Sequence, residues 1–209
     1  MLERIIQTDA CVAEGAAWLA HTEPRFDHAL TLTGPLALRR KPDGFAEVLS
    51  AIVSQQVSVA SARAIWGRLQ SAGMVTPEAI LASDDQILRG LGLSRQKVRY
   101  AFALADAGID YDGLRDLPTS DVVKVLTGVT GIGIWTAEIY AMFCLGRADV
   151  FAPGDLALQE SARLLFELEH RPKEKELRQM ASAWSPWRSV AARTLWAYYH
   201  VAKDREGIA

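Results

Sequence analysis

The sequence predicts an all-α protein, and three observations support this fold class. Apolar residues recur at three- and four-residue spacings through most of the chain, which is the period of an amphipathic helix. Alternating strand patterns are scarce, and only TLTGPLAL at 31–38 hints at extended structure or a turn. The 209 residues, half of them hydrophobic, suffice for one large domain or two small lobes around a buried core.

The first predicted helices follow from apolar spacing and from capping residues. The segment 45–69 carries apolar side chains along a helical face. Ser83 is a suitable N-cap for a helix that Gly90 and Gly92 end. The next predicted helix runs from about 95 to 106, with apolar residues on one stripe.

The second half of the chain carries further helix signals. Ser120 can cap a helix that continues through Leu126. Ser185 followed by Pro186 is typical of a helix start, because proline fits the first helical position. The charged stretch 170–176 predicts a surface loop.

Composition excludes several classes of protein. No apolar run reaches the roughly 20 residues that a membrane helix needs. The N-terminal segment carries Glu3, Asp9 and Glu14, which is unlike a signal peptide. Two cysteines, Cys11 and Cys144, are too few for a four-thiolate metal site or a disulfide framework. We therefore expect a cytoplasmic protein that does not bind membranes.

The formal net charge of −2 does not by itself indicate nucleic-acid binding. A DNA-binding chain of this composition must gather its positive charge on one face. The candidates are the cluster 39–41 and the cluster of Arg95, Lys97 and Arg99. On charge alone, solvated surface clusters are the preferred interpretation of both.

The most informative motif is a glycine-rich turn between two apolar helical patterns. Gly128, Gly131 and Gly133 form this turn, and the helix-hairpin-helix pattern covers 126–137. Glycines let backbone N–H groups approach another molecule closely, and the start of the second helix favours an anion. The turn therefore predicts a phosphate site that needs no excess of lysine. An ordinary tight turn between helices is the alternative.

A second motif follows the hairpin. The Gly/Pro-containing loop 152–154 leads to Asp155, and a helical segment begins at Leu156. Asp155 is thus a candidate catalytic carboxylate and also a candidate helix N-cap. Both interpretations can hold together, because a capping aspartate is held rigidly in place.

Hairpin, Gly/Pro loop and aspartate in this order resemble the HhH-GPD superfamily of DNA glycosylases. Three more segments are similar to its DNA-3-methyladenine glycosylase II family and occur in the family's order: 54–69, 92–105 and 184–199. The resemblance covers most of the chain from Phe45 onward. It implies a single glycosylase domain with a two-lobed helical fold and a cleft between the lobes. The implied parts are lobe A at about 1–42 and 138–209, and lobe B at about 43–137 with the hairpin at 121–145.

The resemblance also assigns site residues. Asp155 would stabilise the oxocarbenium-like sugar and activate water. The implied base pocket comprises Trp135, Trp196, Ile139 and Tyr140, although aromatic residues on helices commonly belong to the core. The implied DNA contacts are Gln55, Gln56, Val57, Ser58, Lys97, Gly131, Gly133 and Thr136. Gln56 would fill the gap that a flipped base leaves, whereas capping and ordinary surface roles explain Ser58 and Lys97 nearly as well.

The implied function is the excision of alkylated bases, of the 3-methyladenine and 7-methylguanine type, from double-stranded DNA. Trp135 stands where bifunctional relatives have a Schiff-base lysine, so no AP-lyase step is expected. The chain lacks the four cysteines of the iron–sulfur branch, and no cofactor is required. Backbone carbonyls of Thr127, Val129 and Ile132 match positions that hold Na⁺ or K⁺ in relatives. A monomer is expected. The alternatives are a glycosylase for another lesion class and a non-catalytic helix-hairpin-helix DNA-binding module.

Overall fold

The computed structural model describes residues 3–206, with side chains up to Lys203. Within this range the protein is helical and forms no β-strand; Ile5 and Arg147 make one isolated antiparallel bridge. The all-α prediction is therefore confirmed for the described residues. The helices are α1 (Asp9–Thr22), α2 (Pro24–Thr33), α3 (Phe45–Ser54), α4 (Val59–Ser71), α5 (Pro77–Leu81), α6 (Asp85–Gly90), α7 (Arg95–Asp106), α8 (Thr119–Thr127), α9 (Ile134–Phe143), α10 (Leu156–Leu165), α11 (Glu174–Met180) and α12 (Arg188–Glu206).

The chain divides into two compact units. Unit 1 contains the described residues up to Arg40 and those from Ala141 onward, and unit 2 contains Lys41–Tyr140. The expected cleft between lobes stays a prediction. In the described part of the chain, no helix combines the length and the apolar character that crossing a bilayer requires.

Unit 1 is organised around α12, which packs against α1, α2 and α10. Helix α1 approaches α12 closely because Gly15 has no side chain: a Cβ there would lie 2.6 Å from the Trp187 ring. Phe26 meets the rings of Phe166 and Trp184 edge-on, with centroids 5.9 and 5.2 Å away. Each aromatic side chain buried in this way contributes roughly 1.5–3 kcal/mol of hydrophobic stabilisation.

Unit 2 is organised around α7, which packs against α3, α5 and α6. Fully buried leucine and isoleucine side chains form its core: Leu49, Ile52, Leu69, Leu88, Leu104 and Leu126. The strong apolar stripe of α7 explains why its predicted bounds of 95–106 are confirmed.

Several predicted helix ends are wrong by one or two residues, and two of the predicted capping serines make other hydrogen bonds. Asp84 caps α6 by accepting from the Ile87 N–H at 2.7 Å, while the Ser83 hydroxyl donates to the Ile80 carbonyl. Helix α8 begins at Thr119, one residue before the predicted cap Ser120. Ser185 does not cap α12, because the helix begins only at Arg188; the Ser185 hydroxyl donates to Asp149 at 2.8 Å.

Of three further segments, one agrees with the prediction and two need correction. The segment 45–69 contains two helices, which fits its apolar spacing: the chain leaves α3 at Ser54 and starts α4 at Val59. Residues 31–33 are the last turn of α2, and only 34–38 are non-helical. The predicted loop at 170–176 ends at Lys173, where α11 is capped.

Candidate functional site

Asp155 lies at the N-terminus of α10, as the sequence predicts for a capping aspartate. Its Oδ1 accepts hydrogen bonds from the N–H groups of Ala157 at 2.9 Å and Leu158 at 3.1 Å. These two bonds satisfy backbone donors that a helix N-terminus leaves without intrahelical partners. The side chain is only half-buried, so the carboxylate is fixed in direction while part of it faces solvent.

The loop that leads into Asp155 is held by its own hydrogen bonds. The Asp155 N–H donates to the Ala152 carbonyl at 3.0 Å. The buried Gln159 amide reaches back from α10 and donates to the Pro153 carbonyl at 2.8 Å. The carboxylate therefore sits on a backbone that is fixed both before and after it, which a catalytic group requires.

Trp196, which the family resemblance places in the base pocket, contacts Asp155 directly. The Trp196 Nε1–H donates to Asp155 Oδ1 at 3.3 Å. Its indole packs on Phe143, with ring centroids 5.7 Å apart and planes tilted by 32°. Trp196 thus helps to orient the carboxylate. Sequence reasoning missed this contact, because the two residues are distant in the chain and no local pattern joins them.

The hairpin is formed by α8, a turn at 128–133 and α9. Gly131 has a φ of 99°, and a Cβ there would collide with the Tyr100 ring. Gly133, which immediately precedes α9, has open space where a Cβ would lie. The two glycines therefore differ: the protein itself requires Gly131, whereas nothing within the described residues prevents a side chain at Gly133.

The loop between α3 and α4 contains the predicted wedge residues. Gln55 donates from Nε2 to the Gly131 carbonyl at 3.0 Å, which ties this loop to the hairpin turn. Gln56 is exposed and has a φ of 54°, a left-handed conformation that costs a non-glycine residue about 1–3 kcal/mol. Val57 is also exposed, and Ser58 caps α4 by accepting from the Ser61 N–H. Gln56 and Val57 are accessible, as a wedge must be.

Lys97, a phosphate contact implied by the family resemblance, has a structural role within unit 2. It is only 8% exposed, and its ammonium donates to the Val53 carbonyl at 2.6 Å. Burial lowers the pKa of this lysine below its usual value. Lys97 therefore holds the C-terminal end of α3, just before the wedge loop, and its contact with a DNA phosphate stays a prediction.

A cavity of about 470 Å³ lies within unit 2 beside the N-terminal half of α9. Trp135, Thr136 and Ile139 line it from α9, and Gln55 and Gln56 line it from the wedge loop. The Trp135 side chain is 43% exposed, whereas Thr136 is only 5% exposed. Thr136 is therefore a buried lining residue of this cavity, and its contact with DNA stays a prediction.

Tyr140 is not among the residues that line this cavity, in contrast to its expected place in the base pocket. It is buried, and its hydroxyl accepts a hydrogen bond from the Gly44 N–H at 2.9 Å. Its ring lies 6.4 Å from that of Tyr111. These contacts give Tyr140 a role in the packing of unit 2.

The expected cation ligands lie at the C-terminal end of α8 and in the hairpin turn. Thr127 is the last residue of α8, where helical carbonyls lack intrahelical donors. The Val129 carbonyl accepts from the Ile132 N–H at 3.1 Å and has a second lone pair. Neutral carbonyl oxygens of this kind fit a hard cation of low charge.

Comparison with known proteins identifies the family. A profile described as "HhH-GPD superfamily base excision DNA repair protein" matches residues 49–186. The DNA-3-methyladenine glycosylase 1 of Schizosaccharomyces pombe is 30% identical over 165 residues, which cover 75% of this chain and 72% of that protein.

Solved structures agree with this result. A DNA-3-methyladenine glycosidase from Bacillus halodurans superposes with a TM-score of 0.83 and 30% sequence identity. The superposition covers 98% of this chain and 95% of the glycosidase chain. A 3-methyladenine DNA glycosylase from Schizosaccharomyces pombe, solved in complex with abasic DNA, gives a TM-score of 0.77 and 28% identity, covering 88% of this chain and 95% of its own. The predicted resemblance is confirmed: the chain belongs to the HhH-GPD superfamily of base excision DNA repair proteins.

Proposed function

We propose that the protein is a monofunctional DNA glycosylase that hydrolyses the N-glycosidic bond of alkylated bases in duplex DNA. Relatives named 3-methyladenine DNA glycosylases support this activity, and one of them was solved on abasic DNA, the product of such a reaction. The observation in this chain that carries the proposal is the half-buried Asp155 carboxylate, fixed by the α10 N-terminus and by Trp196. The protein is proposed to act as a monomer in the cytoplasm.

In the proposed reaction, the damaged nucleotide is first flipped out of the duplex, because a stacked base cannot be attacked in place. A base alkylated at N3 or N7 carries positive charge and leaves readily, so it needs little protonation. The bond between C1′ and the base nitrogen breaks, and its electron pair neutralises the departing base. The Asp155 carboxylate stabilises the positive charge on the sugar, accepts a proton from water, and the water oxygen bonds to C1′.

The cavity beside α9 supplies a surface suited to a cationic base. Trp135 presents an indole face there, and a cation–π contact is worth about 0.5–2 kcal/mol. Ile139 adds an apolar wall next to it. Gln56 and Val57 lie on the exposed wedge loop and are proposed to fill the gap left in the duplex.

The hairpin is proposed to hold a phosphate of the DNA backbone. Backbone N–H groups from Gly131 to the first turn of α9 are suited to an anion, and the dipole of α9 favours negative charge there. A Na⁺ or K⁺ ion on the carbonyls of Thr127, Val129 and Ile132 would add positive charge beside that phosphate.

A panel of duplexes tests the proposed activity. Each duplex carries one 7-methylguanine, 3-methyladenine, hypoxanthine, 8-oxoguanine or undamaged base, and free base is measured by chromatography. We expect release from the two methylated duplexes. Release from hypoxanthine or 8-oxoguanine alone would indicate a glycosylase for another lesion, and binding without any released base would indicate a non-catalytic DNA-binding module.

Gly133→Val is expected to weaken DNA binding about 10-fold or more without a matching loss of fold stability. A side chain at this position has room within the protein but would project beside the N–H groups of the proposed phosphate seat. Affinity for abasic duplex and the midpoint of thermal unfolding are the measurements.

Gly67→Val provides the control for the hairpin variant. Gly67 lies in α4, and its Cβ position is also open. We expect this variant to bind DNA like the wild type. Equal affinity of the Gly133→Val protein and the wild type would rule out the phosphate seat. Gly131 is unsuitable for this test, because a substitution there collides with Tyr100.

Borohydride is expected to trap no covalent complex between the protein and DNA during turnover. A trapped adduct requires an amine that forms a Schiff base with the sugar. Trp135 has no amine, and the Lys97 ammonium is buried against the Val53 carbonyl. Lys41 also lines the cavity, but its ammonium pairs with the Glu47 carboxylate at 3.5 Å. Denaturing electrophoresis after borohydride treatment checks this, and a shifted protein band would overturn the monofunctional assignment.

A further inference from the structure

Unit 1 contains a buried arginine that forms no ion pair with a carboxylate of the described residues. Arg193, on α12, is only 2% exposed. Its Nη1 donates to the Ser189 carbonyl at 2.9 Å and its Nη2 to the Leu38 carbonyl at 3.2 Å. Among the described residues, no acceptor reaches its Nε. Carbonyl groups satisfy two of its nitrogens but cannot neutralise the charge.

Two further arginines lie next to this buried guanidinium. Arg39 and Arg40 follow directly after Leu38, whose carbonyl Arg193 holds, and both are exposed. The Cζ atoms of Arg193 and Arg39 lie 4.8 and 5.8 Å from the centre of the same Phe143 ring. Arg40 packs over Gly146, where a Cβ would collide with its guanidinium. Residues 38–40 are therefore held by contacts with Arg193, Phe143 and Gly146.

Among residues 3–203, no described ion pair compensates the charge of this cluster. The described ion pairs join other basic side chains to carboxylates, and none includes Arg39, Arg40 or Arg193. Burial, and then repulsion by Arg39 and Arg40, lowers the pKa of Arg193 to about 10. A buried charge without a counter-charge is costly unless a ligand neutralises the surrounding field.

We infer that Arg39 and Arg40, supported from beneath by Arg193, bind a phosphate of the DNA backbone. Guanidinium groups match phosphate geometry through paired hydrogen bonds. The overall charge of −2 requires a DNA-binding chain to gather positive charge locally, and this cluster does so. This inference rests on the proposed function.

The location of the cluster favours DNA over a free anion. Phe143, whose ring contacts Arg193 and Arg39, also packs on Trp196. Trp196 in turn donates its hydrogen bond to Asp155. Two aromatic rings thus separate the arginines from the proposed catalytic carboxylate. A strand with its reacting sugar at Asp155 would have phosphates close to this cluster.

The salt dependence of DNA binding tests the inference. The logarithm of the affinity falls with the logarithm of the salt concentration by about 0.9 for each phosphate that is neutralised. The double variant Arg39→Gln/Arg40→Gln should therefore reduce this slope by about one to two on a duplex with a stable abasic-site analogue.

The control variant is Arg25→Gln/Arg178→Gln. These arginines are exposed in the same unit and pair with Glu23 and Glu174, each at 3.1 Å. The control removes the same charge and should keep the wild-type slope. A slope reduced equally in both double variants would mean a general charge effect and would overturn the inference.

A measurement with inorganic phosphate distinguishes the two possible ligands of the arginine cluster, a phosphate of the DNA backbone and a free anion. Phosphate could raise the unfolding temperature of the wild type but not of the Arg39→Gln/Arg40→Gln protein, while the double variant keeps the wild-type salt slope for DNA. In that case the site binds a free anion, and the assignment to DNA is wrong. A double variant that keeps the wild-type salt slope, with no effect of phosphate on either protein, also overturns the inference. A wild type that binds DNA but releases no base would overturn the proposed function alone, because the slope is measured independently.

Discussion

Asp155→Asn is expected to lower the rate of base release by about 10²- to 10⁴-fold, the range that a positioned acid–base or electrostatic group contributes. The fold should survive, because the Asn carboxamide oxygen can still accept from the N–H groups of Ala157 and Leu158 and from Trp196. What is lost is the negative charge beside the sugar and the acceptor for the water proton. Single-turnover release from a 7-methylguanine duplex measures the effect.

The matched control for this substitution is Asp84→Asn. Asp84 also caps a helix, by accepting from the Ile87 N–H at 2.7 Å, but it lies in unit 2. This variant should keep wild-type turnover, and both variants should keep wild-type affinity for abasic duplex. Turnover by the Asp155→Asn protein within a factor of three of the wild type would refute the proposed role of the carboxylate.

Trp196→Phe is expected to reduce kcat by about 10- to 100-fold while KM changes little. The variant keeps an aromatic ring against Phe143 but removes the N–H that donates to Asp155. A hydrogen bond to a charged group is worth about 1.5–3 kcal/mol, which sets this range. Steady-state kinetics on the methylated duplex give both constants.

The separate changes in kcat and KM distinguish two roles of Trp196. If the indole serves mainly as a wall against the base, the variant raises KM and leaves kcat near the wild-type value, and the positioning role is wrong. Trp18→Phe makes the same chemical change on α1, in the same unit, and should alter neither constant.

Local signals allowed much of the fold to be predicted from the sequence. The apolar stripe of α7 and the capping position of Asp155 each depend on residues within a few positions of one another. The prediction of a helix cap failed where two neighbouring residues were both suited to the N-cap position. Ser83 and Asp84 could both cap α6, and only the structure reveals that the Ser83 hydroxyl is engaged by Ile80.

The candidate site was harder to predict because its decisive contacts join distant parts of the chain. The family resemblance selected Asp155 and Trp196, but it did not indicate that they share a hydrogen bond. Nor could it indicate that Lys97 is buried against the Val53 carbonyl, since a lysine in sequence looks the same whether it is exposed or buried. Likewise, Gly131 and Gly133 look equivalent until the Tyr100 ring is placed.

A crystal structure of the Asp155→Asn protein with a duplex that contains one intact methylated purine tests the central claim most directly. The substitution should preserve binding while the base stays attached. We predict that the methylated nucleotide is extruded from the helix, with its C1′ within van der Waals contact of the carboxamide at position 155. A methylated base still stacked in the duplex, or an extruded sugar away from position 155, would contradict the account.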